Sequence, residues 1–193
     1  MIGAVVLAAG EGRRLGGQGK ALLDVGGVTF LERVIRTSRE GGCDPVWVVI
    51  RPGHRETSEM VVSLGARPVL NAEPGRGMFS SVVEGLSAAL DDEPAVDGFL
   101  VFPVDHPRVR AATVRELIRS LLWKKEGTFV QPVHAKRSGH PVLVDRAGAR
   151  ALHRLDPTTV FRDALKAAGL SPYPVTVKDP HIRENLNTPS DLA

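Results

Sequence analysis

Cysteine is nearly missing from this 193-residue chain. The single thiol, Cys43, rules out an internal disulfide framework and any cysteine-rich zinc site, and it fits a reducing, cytoplasmic setting. Aromatic residues are scarce as well, with six Phe, two Trp and one Tyr. Basic residues are scattered and the net charge is only +3, so no dedicated nucleic-acid surface is expected. Anionic small substrates remain compatible with that charge. No segment approaches the roughly 20 apolar residues of a membrane helix. Residues 1–9 are apolar but lack the basic start of a signal peptide, and they read as a buried first strand. Repeats, low-complexity tracts and dividing linkers are also missing, so one domain over residues 1–193 is expected.

What is present is an alternation of strand and helix patterns. Apolar runs at Val5–Ala8 and Val46–Ile50 predict buried strands, Pro68–Leu70 a short strand, and Phe99–Val104 a strand interrupted at its end by Pro103. Thr29–Arg39 places Phe30, Leu31, Val34 and Ile35 on one helical face, and Gly41–Gly42 stops it. Residues 54–64 predict a helix, as does Met78–Leu90, with Met78, Val82, Leu86 and Leu90 on one stripe. Thr113 with Glu116 predicts a capping box for a helix carrying Val114, Leu117, Ile118, Leu121 and Leu122. Strands at Phe129–Val133 and Pro141–Val144 follow, then a helix Val160–Ala168 capped by Thr159, a strand Tyr173–Val177 and a terminal helix from Thr188 to Leu192. This order predicts a three-layer, Rossmann-like α/β fold: a mostly parallel mixed sheet with helices on both faces. Ligands on such sheets bind beyond the carboxyl ends of the strands.

The first strand runs into LAAGEGRRLGGQGK, residues 7–20. Five glycines, Gly10, Gly12, Gly16, Gly17 and Gly19, free the backbone to curl its N–H groups around an anion. Arg13, Arg14 and Lys20 add positive charge. A Walker loop is excluded, because Ala21 follows Gly19-Lys20 and Arg14 stands where its first glycine belongs. A dinucleotide turn fits poorly, since the next helix waits until about Thr29 and the second strand ends at Ile50-Arg51 without an acidic residue. A long loop wrapped over a triphosphate fits this composition better than a plain surface loop.

A second element is FLVFPVDHP, residues 99–107, which sets Asp105 just past a strand end. A carboxylate there can hold Mg²⁺ on phosphate oxygens. Taken alone, the segment serves equally well as a turn. His54, His134, His153 and His181 show no metal-ligand spacing and read as incidental.

These elements together resemble the MobA/MocA-like NTP transferase family, the cytidylyltransferases and guanylyltransferases of molybdenum cofactor maturation, from Val5 to Leu192. The resemblance implies nucleotidyl transfer with Mg²⁺. It casts Arg14 and Lys20 as the groups that stabilise the triphosphate, and Asp105 as metal ligand and catalytic residue. Leu7, Ala8, Ala9, Gly10, Gly12 and Arg13 would hold the nucleotide, with Asn71, Ser80 and Ser81 of NAEPGRGMFSSVVEGL beside its base. Gly139-His140-Pro141 and His106 would face the acceptor. The implied partners are a nucleoside triphosphate, a phosphorylated acceptor of molybdopterin type and a molybdoenzyme or its chaperone, without nucleic acid or membrane.

Two features pull apart. Asn185-Leu186-Asn187-Thr188-Pro189 departs from the Asp-x-Asp-Thr-Pro of many cytidylyltransferases, so Asn187 would offer a neutral oxygen where a carboxylate ligand is usual. Ala9 and Gly139-His140-Pro141 point toward cytidine, because guanylyltransferases usually carry Gly at the position of Ala9. CTP is therefore the expected donor. GTP, a sugar phosphate as acceptor, and a non-catalytic cofactor-delivery protein are the alternatives.

Overall fold

The apolar runs form strands of one sheet in the computed structural model, which describes residues 1–10, 19–24, 26–123, 125 and 127–186. Arg13, Arg14, Gly12, Asn187 and the predicted terminal helix lie outside the described residues. Among the described residues, β1 (Ile2–Leu7), β2 (Cys43–Ile50), β3 (Arg67–Leu70) and β4 (Gly98–Pro103) pair in parallel in the order β3-β2-β1-β4. The sheet continues through β7 (Val142–Asp145), β5 (Thr128–His134) and β6 (Arg137–Ser138), with β8 (Ser171–Thr176) parallel to β5. β7 runs antiparallel to both of its neighbours, β4 and β5.

Alternation along the strands sends side chains to two cores. Val6, Val48, Leu100 and Phe102 meet α1 (Phe30–Glu40), α2 (Arg55–Ser63) and α4 (Ala111–Leu121) on one face. Val5, Trp47, Val49 and Val101 meet α3 (Met78–Asp92), α5 (Arg146–Leu152) and α6 (Phe161–Ala167) on the other. The mostly parallel sheet with helices on both faces is the one the pattern predicts. Gly85 permits the close seat of α3, since a Cβ there would lie 2.3 Å from a Val5 methyl. No helix among the described residues is long and apolar enough to cross a membrane.

Local capping departs from expectation where a distant group does the work. Thr29 caps α1 by accepting from the Glu32 N–H at 3.2 Å. Thr113 caps nothing: α4 begins two residues earlier, and Arg110 occupies the N-cap position. The buried Asp179, from the segment after β8, supplies the missing acceptor. It takes the Arg110 N–H at 2.9 Å and the Thr113 hydroxyl at 2.7 Å on one oxygen, and the His181 N–H at 3.1 Å on the other. Thr159 likewise sits in a turn ahead of α6, whose N-cap is Val160 with no side-chain bond. Met78 and Leu122 are 44% and 83% exposed because they stand at the ends of their helices, where the apolar stripe no longer faces the sheet. Helix α5 and the two-residue β6 carry too few residues to show a period.

Asp179→Ala strands the α4 N-terminus and a buried hydroxyl without their acceptor. It is expected to cost about 3 kcal/mol of stability in urea denaturation, and Asp179→Asn distinctly less.

Candidate active site

Strands β1 and β4 are in register from Ile2↔Gly98 to Leu7↔Pro103, so both end at the same sheet edge. The backbone leaves β1 as Ala8-Ala9-Gly10 and β4 as Val104-Asp105-His106. The Val104 N–H donates to Leu7 O at 3.1 Å and the Ala8 N–H to Val49 O at 2.9 Å, which fixes both exits. Between them and the start of α3 lies a cleft of about 270 Å³, walled by Ala9, Gly10, Lys20, Ser81, Asp105 and His140 among others. Lys20 enters from a short 3₁₀ turn, Lys20–Leu22, whose Ala21 is buried as an anchor.

Asp105 is the hub of this cleft. Its Oδ2 accepts from Lys20 Nζ at 3.1 Å, and its Oδ1 accepts from His106 Nδ1 at 2.9 Å. The Lys20 and Asp105 side chains are only 20% and 17% exposed, so the pair works at reduced dielectric. Burial alone would raise the Asp105 pKa. The His106 hydrogen bond, the His106 charge and Lys20 outweigh it, and the carboxyl stays below the ordinary range. The His106 ring meets that of His140 edge-on at 5.0 Å between centroids. Burial, then the charge of His106, push His140 down from 6.5 to about 4, against an opposing pull from Asp105. His140 is therefore neutral at physiological pH.

His140 reaches this edge because β7 is reversed: the start of an antiparallel strand lies where its parallel neighbours end. The segment after β8 then crosses behind it. The His140 N–H donates to Ile182 O at 2.8 Å, and the Leu186 N–H donates to Asp105 O at 2.9 Å. Gly139 is required for that crossing, since a Cβ would stand 2.2 Å from Ile182 O. The stretch from Asn185 was legible as a site element, whereas the Ile182 contact was not, because a main-chain carbonyl makes it.

The structure places the remaining expected residues unevenly. Leu7, Ala8, Ala9, Gly10, Lys20, Ser81, Asp105, His106 and His140 are brought together at the cleft. Asn71 and Ser80 stand behind its wall. The Asn71 amide donates to Ser80 Oγ at 2.9 Å and Ser81 Oγ at 3.0 Å, and its oxygen accepts from the Glu73 N–H at 2.9 Å. Ser80 in turn donates to Gly77 O at 2.8 Å. These two residues lock the end of β3 to the start of α3, and Ser81 presents the locked surface. Gly139 and Pro141 shape the turn into β7. Of the other histidines, His134 bonds Val177 O and His181 bonds Glu184.

A larger cavity of about 850 Å³ adjoins the cleft, with Phe129, Phe161 and Leu170 among its apolar lining and Arg76, Gln131 and Lys166 among its polar lining. Gly77, Met78 and His140 line both spaces. No group of three or more His, Cys, Asp or Glu able to hold a metal occurs among the described residues. A lone buried carboxylate does suit Mg²⁺, which keeps waters and takes its other ligands from substrate phosphates.

A family model, the MobA-like NTP transferase domain, matches residues 4–172. Nicotine blue oxidoreductase of Paenarthrobacter nicotinovorans is 33% identical over 153 residues, covering 76% of this chain and 71% of that protein. The molybdenum cofactor guanylyltransferase of Rhodopseudomonas palustris (strain HaA2) is 30% identical over 200 residues, covering 98% and 88%. Among solved structures, a nucleotidyl transferase from Methanothermobacter thermautotroptrophicus superposes with a TM-score of 0.78 at 27% identity, over 99% of this chain and 94% of that one.

The lowered His140 pKa carries a pH signature. Between 6.5 and about 4 the unfolded chain protonates this imidazole while the folded protein resists, so its contribution to stability is full above 6.5 and is lost as pH falls toward about 4. Urea midpoints followed across that window are expected to fall less steeply for His140→Gln than for the wild type.

Proposed function

The chain belongs to the MobA-like NTP transferase family and is a nucleotidyltransferase; from that premise we propose that it transfers CMP from CTP to a phosphorylated acceptor of molybdopterin type, releasing pyrophosphate. The observation that carries this reading is the Lys20–Asp105 contact of 3.1 Å across the cleft at the ends of β1 and β4. It sets a cation for phosphate oxygens beside a carboxylate able to take a divalent metal.

In this reaction an oxygen of the acceptor phosphate attacks the α-phosphorus in line. A P–O bond forms there as the bond to the bridging oxygen of the β-phosphate breaks, and pyrophosphate departs with that electron pair. The attacking phosphate is already anionic, so no protein nucleophile is needed. The protein contributes positioning and charge. Lys20, joined by Arg14 from the glycine-rich loop, neutralises the triphosphate and the leaving group. Asp105 would hold Mg²⁺, which supplies further charge neutralisation on the phosphates when bound. Ser81, whose oxygen already accepts from Asn71, keeps its proton to donate into the cleft.

The choice of CTP rests on Ala9. That residue lines the cleft, and with Gly139-His140-Pro141 it carries the resemblance to the cytidylyltransferases. A GTP reading draws on the name of the Rhodopseudomonas relative. The oxidoreductase name of the Paenarthrobacter relative predicts consumption of a redox cofactor, which an absorbance assay would detect.

Pyrophosphate release with CTP, GTP, UTP and ATP, Mg²⁺ and a molybdopterin-type acceptor tests the proposal. Lys20→Ala, Arg14→Ala and Asp105→Ala are each expected to lower kcat/KM about 10²–10³-fold while the urea midpoint shows the fold retained. Full activity of Asp105→Ala overturns the metal assignment. Ala9→Gly, which restores the residue usual in the guanylyltransferases, is expected to shift the CTP-to-GTP preference toward GTP by about 10-fold, the worth of one methyl group. Selectivity for UTP with a sugar phosphate refutes the acceptor.

A further inference from the structure

We propose that a basic cavity beside α1, apart from the catalytic cleft, binds a compact oligophosphate anion, and that its occupancy is felt at Asp105. The cavity measures about 350 Å³ and is lined by Arg33, Arg36 and Thr37 of α1, by the stretch Pro107–Val109 and by His181. It shares no lining residue with the cleft or with the larger cavity. Neither the donor nor the acceptor assigned above is needed for this binding.

Local sequence brings the cations together. Helix α1 turns Phe30, Leu31, Val34 and Ile35 inward, so Arg33, Arg36 and Thr37, three and four residues apart, share one outer side. The Val109 N–H closes a turn onto His106 O at 3.3 Å, with Pro107 at its second position and Arg108 at its third. Thr37 Oγ1 donates to Val109 O at 3.5 Å and holds this turn against α1. Among the described residues no carboxylate lines the cavity. Glu32 pairs with Arg36 at 2.7 Å, while Glu184 meets His181 at 2.7 Å and Arg108 at 3.6 Å, the last beyond hydrogen-bonding distance. Three guanidiniums from two stretches of chain thus face one space with two carboxylates among them.

Guanidinium forks match phosphate oxygens, and a tetrahedral phosphoryl group offers oxygens in several directions where a planar carboxylate offers one edge. Arginines from α1 and from the turn can therefore share one phosphoryl group. The volume lies near the lower end of the roughly 300–1,000 Å³ usual for ligand sites, which suits a compact anion of two or three phosphoryl groups. The walls lead directly to Asp105. The turn carrying Arg108 starts at His106, whose ring bonds Asp105 Oδ1. The segment bearing His181 and Glu184 continues to Leu186, whose N–H holds Asp105 O at 2.9 Å. An anion that draws Arg108 and His181 away from Glu184 acts on both supports of Asp105.

Pyrophosphate is the probe, titrated calorimetrically into the full chain with a chelator present to remove metal. The Arg36 side chain is 58% exposed, so it can be changed without disturbing the core. Arg36→Gln is expected to bind pyrophosphate about 10-fold or more weakly than wild type, as for a lost bond to a charged group, while Lys20→Ala, altered in the cleft, binds within about 3-fold. Equal affinity in wild type and Arg36→Gln overturns the proposal, as does a wild type that binds no pyrophosphate at millimolar concentration. Citrate, a tricarboxylate, is expected to bind about 10-fold or more weakly than pyrophosphate, and equal or tighter binding overturns the phosphate assignment. In Lys20→Ala the backbone amide signals of Val109 and Leu186 are both expected to shift as pyrophosphate saturates, and to stay in place when Arg36→Gln is added. Movement of Val109 alone overturns the link to Asp105, and movement of neither overturns the site. These readouts need no turnover, so they stand apart from the transfer assay.

Discussion

The site depends on keeping one carboxylate ionised in a place where burial opposes its charge. Asp105 achieves this with Lys20 on one oxygen and His106 on the other. Each partner comes from a different stretch of chain, and the carbonyl of Asp105 is held by a third, the Leu186 N–H. The turn Lys20–Leu22 must present its lysine, β4 must end where it does, and the segment after β8 must return across the edge. A sheet built in any other register would leave Asp105 buried and unpaired, at a cost of several kcal/mol.

The direction of one strand explains how two cavities come to adjoin. The parallel half of the sheet, β3-β2-β1-β4, gathers its carboxyl ends on one edge. β7 runs the other way, so its first residues, Gly139-His140-Pro141, arrive at that same edge. The cleft beside Asp105 and the larger cavity thereby share a wall. Asn71 plays the matching part on the far side, joining the end of β3 to the start of α3 through Ser80 and Ser81.

Much of this was legible in the sequence because it is written in local pattern. Buried strands read as apolar runs, α1 as a stripe with its own cap at Thr29, and Asp105 as a residue just past a strand end. The misses share a cause, which is reliance on partners far along the chain. Thr113 has the local look of a cap, yet the cap is supplied by Asp179, 66 residues later. Ile182 supports His140 through a backbone carbonyl, which no side-chain pattern reports.

The Lys20–Asp105 contact also says how the resting protein meets a crowded solution of salts. With each charge satisfied by the other, the cleft offers a lone phosphate no bare ammonium and a lone cation no bare carboxylate. Only a visitor carrying both signs, a polyphosphate with its metal, can replace both partners in a single exchange. The contact thus acts as a double-entry lock, discriminating against abundant simple ions before any feature of the base or the acceptor is consulted.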